Sequence, residues 1–284
     1  METAIDKGTA FGLLHLKVSE LQRSIRFYTE VVGYRLLRVE GVTAALTVDG
    51  VREALRLEEV PEAVPVPRRS SAGLYHFAIL VPDRRTLGLA LRNLLEHGLH
   101  VGQGDHLVSE AFYITDPDLN GIEIYADRPR EGWVRDEQGC YVMGSDPVDT
   151  EGLLREADGH PWTGLPAGTV TGHIHLHVSR LDEAERFYAG LLGFERTAGD
   201  GRSVLFLSAG GYHHHIGLNT WAGEGAPAPH PKAVGLASFT LVIPQGREAV
   251  VRRLQESGAF LRQEGDVWIT RDPSGIEIVL TESL

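Results

Sequence analysis

The sequence predicts an α+β fold of four βαβββ modules paired into two open-barrel cups, and three observations carry that expectation. LHLKVSELQRSIRFYTEVVGY (14–34) returns as IHLHVSRLDEAERFYAGLLGF (174–194) at a constant offset of 160. A second pair interleaves with the first: GLYHFAILVPD (73–83) matches GLASFTLVIPQ (235–245). Each member of the second pair leads through a helix to strands that meet at Asp-Pro and continue into Ile-Glu, FYITDPDLNGIEIY and WITRDPSGIEIVL. Self-similarity at a fixed spacing marks duplicated structural units.

Taken in order, the first and third modules open on an alternating strand and turn at Ser19 or Ser179, each expected as a helix N-cap. The helices that follow are amphipathic, with Leu21, Ile25, Tyr28 and Val32 on one apolar face and Leu181, Tyr188 and Leu192 on the other. Gly33 and Gly193 stand where a left-handed residue ends a helix. AALTV and EALRLEEV supply strands in the first module, SVLFLSA and HHIGLNTW in the third. The second and fourth modules carry the helices TLGLALRNLLEHG and EAVVRRLQESG. The modules run over 11–60, 73–127, 170–221 and 235–282, joined by the proline-rich connectors VPEAVPVPRR and GEGAPAPHPK and by a linker over 128–168. Along the chain they form two domains, 11–127 and 170–282. A βαβββ sheet has unpaired edges, so two modules must join to enclose a cavity.

Composition narrows the function. A net charge of -12 argues against nucleic acid, whose phosphates need a basic surface. No apolar run has the length of a membrane span and METAIDKGTA has no signal-peptide core, so a cytoplasmic protein is expected. Cys140 is the single cysteine, which excludes an internal disulfide and a cysteine-rich metal site. Imidazole and carboxylate remain as metal chemistry, from 13 histidines and 39 acidic residues. Nothing in the composition excludes a homo-oligomer.

Four modules with these strand–helix and Asp-Pro…Ile-Glu features resemble the vicinal oxygen chelate superfamily. It includes glyoxalase I, fosfomycin-resistance enzymes, bleomycin-binding proteins and extradiol ring-cleaving dioxygenases. The resemblance covers nearly all of the chain except the linker, and this fold hosts several chemistries. It implies a ligand on each first strand, five residues before the Val that precedes the turn into the helix, a frame that falls on Leu13, His76, His173 and Ser238. It implies a carboxylate in the Ile-Glu after Asp-Pro, which falls on Glu123 and Glu277. His76, Glu123 and His173 are therefore the implied metal ligands, in modules two and three, while Glu277 stands opposite Leu13 and Ser238. A nested pairing, two with three and one with four, assembles one complete site. Sequential pairing would need a histidine such as His215 to join His173 and Glu277. Two imidazoles and one carboxylate suit Fe(II) oxygen chemistry, and Mn(II) tolerates the same set. A fourth ligand would fall near Gly217, which has no side chain, so room is expected there.

GDHLVSEAFYITDPDLNGIE (104–123) resembles the extradiol dioxygenase signature through His106, Phe112, Tyr113, Asp116, Pro117 and Glu123, and departs from it at Leu119, where that pattern has Gly or Pro. Module four has Arg262 and Ile269 where His106 and Tyr113 would fall. In GYHHHIGLNTW the resemblance implies His214 as an acid–base residue, although strand alternation leaves His213 and His215 open. The implied reaction is extradiol cleavage of catechol, or a simple substituted catechol, by O2 at Fe(II), giving a 2-hydroxymuconic semialdehyde. Tyr113 would hydrogen-bond the bound substrate oxygen and His106 would help move protons. His15, His175 and His177 share the face of the ligand positions and are expected to line the pocket, as Tyr75 and Trp221 also could. Two other classes stay open: a glyoxalase-like isomerase or thiol transferase, and a metal-free binding protein of the bleomycin-resistance type.

Overall fold

The computed structural model describes residues 4–283. Its first module contains β1 (Ala10–Val18), β2 (Arg35–Glu40), β3 (Thr43–Thr47) and β4 (Leu55–Glu59). The second contains β5 (Gly73–Leu80), β6 (Gly102–Asp105), β7 (Ser109–Thr115) and β8 (Gly121–Asp127). The third contains β9 (Val170–His177), β10 (Glu195–Gly199), β11 (Val204–Ser208) and β12 (Ile216–Asn219). The fourth contains β13 (Gly235–Val242), β14 (Leu261–Glu264), β15 (Val267–Arg271) and β16 (Glu277–Thr281). They form two eight-stranded sheets, β14-β15-β16-β13-β1-β4-β3-β2 and β10-β11-β12-β9-β5-β8-β7-β6. The first strands of two modules pair antiparallel at the centre of each sheet, β1 with β13 and β5 with β9. Module one thus joins module four, and module two joins module three: the nested arrangement.

The helices follow a different rule. Helix α1 (Leu21–Arg26) continues as a π-helical turn over Phe27–Val32, and α4 (Leu181–Glu185) does the same over Arg186–Leu192. Tyr28 from module one donates its hydroxyl to Asp116 of module two at 2.9 Å, and Tyr188 of module three donates to Asp272 of module four at 3.1 Å. Arg23 also bonds Asp118, and Arg253 on α5 (Arg247–Ser257) donates to the Leu191 carbonyl. Helices therefore tie module one to two and three to four, while strands tie one to four and two to three. The two kinds of contact interlock all four.

Side chains alternate in direction along the central strands; burial alternates with them in β1, whereas β9 is buried on both faces. Leu14, Leu16 and Val18, like Ile174, Leu176 and Val178, face the helices and are essentially inaccessible, whereas Leu13, His15 and Lys17, and His173, His175 and His177, face into the cups. The helix starts correct one expectation. Ser19 and Ser179 do not cap: the N-cap residues are Glu20 and Arg180, neither with a side-chain cap bond. Glu59 from β4 instead accepts from Leu21 N at 2.7 Å, and Ser19 bonds Asp118 across the module boundary. A carboxylate from a neighbouring strand thus meets one orphan donor that a local serine was expected to satisfy. Gly33 and Gly193 end the helices with φ of 100° and 94°, as expected.

Residues 128–168 are more than a connector. They contain α3 (Thr150–Ala157), packed so closely on α2 (Arg84–Glu96) that a Cβ at Gly88 would lie 2.2 Å from the Leu153 carbonyl. Upstream, Trp133 and Tyr141 cover one end of the second cup: Trp133 lies 5.1 Å from the His213 ring and 5.5 Å from Tyr141, centroid to centroid. No helix among the described residues is long and apolar enough to cross a membrane.

Candidate metal and catalytic site

The second cup concentrates the chemistry. Ala78 on β5 lies opposite His173 on β9 and beside Glu123 on β8, and His76 lies two residues back on the same face of β5. The register brings together His76, Glu123 and His173, with ligand atoms all within 4.8 Å of one another. His76 Nε2 is 3.0 Å and His173 Nε2 3.1 Å from the same oxygen, Glu123 Oε2. All three side chains are buried. Burial would raise the Glu123 carboxyl, but the two imidazoles outweigh it and hold the group well below the usual carboxylate range. Burial lowers His173 to about 4, so its imidazole is neutral at physiological pH.

A divalent cation fits this arrangement. Glu123 Oε1 is buried without a hydrogen-bond partner, a costly state for a carboxylate oxygen unless something else meets it. Neutral imidazole and anionic carboxylate are the protonation states that a metal requires. Nitrogen–oxygen separations near 3 Å match neighbouring ligands around an ion held at about 2.0–2.2 Å.

The three consecutive histidines precede β12 and lie in a turn, so strand alternation does not govern them. His214 lies against His173 with ring centroids 4.1 Å apart. His213 Nδ1 meets His214 Nδ1 at 2.7 Å, and His213 Nε2 meets Asp127 Oδ1 at 2.9 Å. Tyr212 donates to the same Asp127 oxygen at 3.1 Å. One of the two facing Nδ1 atoms must carry the proton: the Asp127 carboxylate accepts from His213 Nε2, so in neutral His213 Nδ1 accepts and His214 Nδ1 is the donor. His215 points the other way, bonding Ser208 Oγ at 2.9 Å and packing toward Phe11 of the first sheet. Among the three, His214 lies closest to the cluster, and Asp127 and His213 are partners that the spacing of motifs did not reveal.

Beside His76, Tyr113 lies 5.6 Å away between ring centroids. Its hydroxyl and His106 Nε2 are 2.6 Å apart, and His106 Nδ1 meets the Gly144 carbonyl at 2.8 Å. Only a protonated Nδ1 can satisfy a carbonyl, so in neutral His106 Nε2 accepts from Tyr113. Burial and the Glu123 charge push the Tyr113 hydroxyl well above its ordinary pKa, keeping it a donor. Leu119, the departure from the signature, adopts φ of 68°. The turn thus keeps the left-handed geometry that suits glycine, at some strain.

Two expectations need correction. The space above Gly217 is not open: a Cβ there would lie 2.8 Å from His175 Cγ, so glycine is required because the His175 ring rests on it. Glu277 is not the register equivalent of Glu123. Glu277 pairs with Ser238, the counterpart of His76, so Glu277 matches Gly121 while Val279, opposite Thr240, matches Glu123. Asp-Pro and Glu are separated by two more residues in DPDLNGIE than in DPSGIE, which moves the carboxylate along the strand. Glu277 bonds Arg271 at 3.2 Å, and His15 pairs with Glu58 at 2.9 Å in that same cup. Of the other histidines, His177 Nδ1 meets Asn219 Oδ1 at 2.6 Å, while Tyr75 and Trp221 contact one another beside His175.

Comparison with known proteins agrees with this construction. The model of the Glyoxalase/Bleomycin resistance protein/Dioxygenase superfamily matches residues 11–124. A curated Bacillus subtilis (strain 168) protein named catechol-2,3-dioxygenase is 50% identical over 274 residues, covering 95% of this chain and 96% of that one. Among solved structures, a Bacillus subtilis protein provisionally called a dioxygenase superposes with a TM-score of 0.65 at 14% identity, over 98% of this chain and 85% of that one. Glyoxalase I from Zea mays superposes with a TM-score of 0.56 at 18% identity, over 96% and 92%. These two likenesses establish the shared fold, and the 50% identical relative narrows the class. The chain belongs to the glyoxalase, bleomycin resistance protein and dioxygenase superfamily, and within it to the extradiol dioxygenases.

Proposed function

We propose that the chain cleaves catechol, or a simple substituted catechol, with O2 to a 2-hydroxymuconic semialdehyde, with His76, Glu123 and His173 holding Fe(II). Mn(II) is the alternative metal, since the same donors accept it. The observation that carries this reading is the flanking of the cluster by two different proton-handling groups, Tyr113 beside His76 and His214 beside His173. An isomerase or thiol transferase of this fold does not call for both, and a metal-free binding protein has no use for a buried carboxylate oxygen left unpaired.

When bound, Fe(II) supplies chelation of both catechol oxygens and a path for electrons between the ring and O2. The rest follows from the residues. Glu123 brings the single negative charge of the donor set. Tyr113 gives its one hydroxyl hydrogen to His106, so its oxygen accepts a hydrogen bond from a substrate hydroxyl. His214 has Nδ1 engaged by His213, which leaves Nε2 to accept and return the substrate proton. Asp127 fixes His213, which fixes the tautomer of His214. Trp133 and Tyr141 exclude water from one end of the cup. A single free cysteine, Cys140, agrees with a reducing cytoplasm.

The test is oxygen uptake by protein loaded anaerobically with Fe(II) and then given catechol, with Mn(II) loading in parallel. We expect one O2 consumed per catechol and a yellow semialdehyde. Uptake that survives a strong chelator, or no uptake with either metal, would overturn the proposal.

A further inference from the structure

A cavity of about 500 Å³ reaches His76 and Tyr113 from the end of the second cup opposite Trp133. It is bounded by the connector after β4, by the start of β13 and by the end of β1. Its charge is unlike that of the molecule. The chain has 39 acidic against 27 basic residues, yet the cavity wall carries Lys17, Arg68 and Arg69 and one acid, Asp118. Asp118 is already neutralised locally, accepting from Ser19 N and from Arg23 at 2.8 and 2.6 Å. Glu62, on the same connector as the arginines, pairs with Lys232. Among the described residues, Arg68 and Arg69 join no ion pair and are exposed. Lys17 donates to the Pro231 carbonyl at 3.1 Å and has Glu58 nearby. The connector is anchored on both sides of the arginines, by Val64 N to the Lys232 carbonyl at 2.9 Å and by Ala72 N to the Pro227 carbonyl at 2.8 Å.

An excess of cations at the mouth of an acidic protein's cleft focuses positive potential on whatever enters. The planar guanidinium matches a carboxylate with two parallel hydrogen bonds. Between this wall and His76 lies the Tyr75 ring, 5.0 Å from His76 and 4.9 Å from His177 between centroids, an apolar surface for an aromatic ring.

We propose that this cavity is a subsite for an anionic substituent, so that the chain takes catechols bearing a carboxylate arm, the arm facing Arg68 and Arg69 and the ring facing Tyr75 and His76. The proposal rests on the ring-cleavage reading above. It is tested apart from turnover by calorimetric titration of metal-free protein with 4-hydroxyphenylacetate and, separately, with 4-methylphenol, which lacks the carboxylate and the second ring oxygen needed for chelation.

The carboxylate should bind about 10- to 100-fold tighter, the range for a charge-assisted hydrogen bond. That preference should shrink in Arg68→Gln/Arg69→Gln protein and with added salt. On the metal-loaded enzyme, the ratio of kcat/KM for 3,4-dihydroxyphenylacetate to that for catechol should fall by a similar factor in the double variant. Equal binding of the two phenols, or a preference untouched by the double substitution, overturns the subsite. A carboxylate preference without any oxygen uptake would leave the subsite standing and overturn ring cleavage.

Discussion

The two cups share one strand order and the same central pairing of first strands, and their interiors differ at nearly every position that matters. Where the second cup has His76, Glu123 and His173, the register equivalents in the first are Ser238, Val279 and Leu13. Tyr113 is matched by Ile269, and the aspartate that shares its turn is kept in both, as Asp116 and Asp272. The convex positions are alike: Leu14, Leu16 and Val18 correspond to Ile174, Leu176 and Val178, all buried against helices. Folding makes its demands on the convex faces and on the turn aspartates. Concave positions are free of that demand, so one cup holds the His76, Glu123 and His173 cluster and the other holds the His15–Glu58 contact and the Arg271–Glu277 ion pair.

The largest effect expected from this contrast is on metal content. Glu123→Ala removes the only charge of the donor set, and two neutral imidazoles hold a divalent cation poorly. We expect folded protein with no bound iron and no oxygen uptake, whereas Val279→Ala and Glu277→Ala should retain both. Iron per chain, measured on the three purified variants, decides it, and loss from either first-cup variant would place the metal in the wrong cup.

Next in size is His214→Phe, which should keep the iron and lower kcat by about 10²–10⁴, the range for a positioned acid–base group. Release of the metal would make His214 a ligand. A loss of the same size in His215→Phe would contradict the outward orientation of that ring toward Ser208 and Phe11.

The readable part of this protein was what repeats. The offset of 160 and the second interleaved pair specify modules, helices and the cup-facing histidines, because alternation along a strand translates directly into faces. Other features depended on relations that letters do not encode. Ile-Glu occurs twice, but two extra residues in one Asp-Pro turn place Glu123 and Glu277 at different depths. His214 could be chosen only by resemblance, since a turn has no alternation to exploit. Asp127 lies 86 residues from His213 and meets it only through the nested pairing. The expected vacancy at Gly217 failed because His175, from the neighbouring strand, occupies the space.

The turn aspartates sharpen the comparison through pH. Burial raises Asp272 to about 6, while Tyr188 and the backbone N–H groups of Ser274, Gly275 and Ile276 oppose the rise. Asp116 is raised too, but it accepts a further bond from Asn120 Nδ2 at 2.8 Å, which favours its charged form. A carboxyl whose folded pKa exceeds its unfolded value of 3.8 contributes stability that is present at low pH and lost as pH rises through about 6. Wild type should therefore gain on Asp272→Asn as pH falls from 7 toward 4, by an amount approaching ~3 kcal/mol. Asp116→Asn should show a smaller gain. Denaturation curves at several pH values check this, and parallel stability profiles for wild type and Asp272→Asn would exclude the burial effect.

The smallest effect is expected at Tyr113. Tyr113→Phe removes one hydrogen-bond partner of the substrate and leaves His106 Nε2 without its 2.6 Å partner, but it preserves the ring that packs beside His76. One unmade hydrogen bond in a buried site is worth about 1–3 kcal/mol, so kcat/KM should fall by about 5- to 150-fold with the iron retained. The counterpart Ile269→Val, in the cup without the cluster, should leave kcat/KM unchanged within about twofold, because it removes only one methylene from a wall that no substrate meets. His106→Asn tests the same bond from the other side. If Tyr113 meets the substrate with its hydroxyl held by His106, His106→Asn and the double variant with Tyr113→Phe should both resemble Tyr113→Phe alone, since each breaks the same unit. Losses that multiply would mean that His106 and Tyr113 act on the substrate separately.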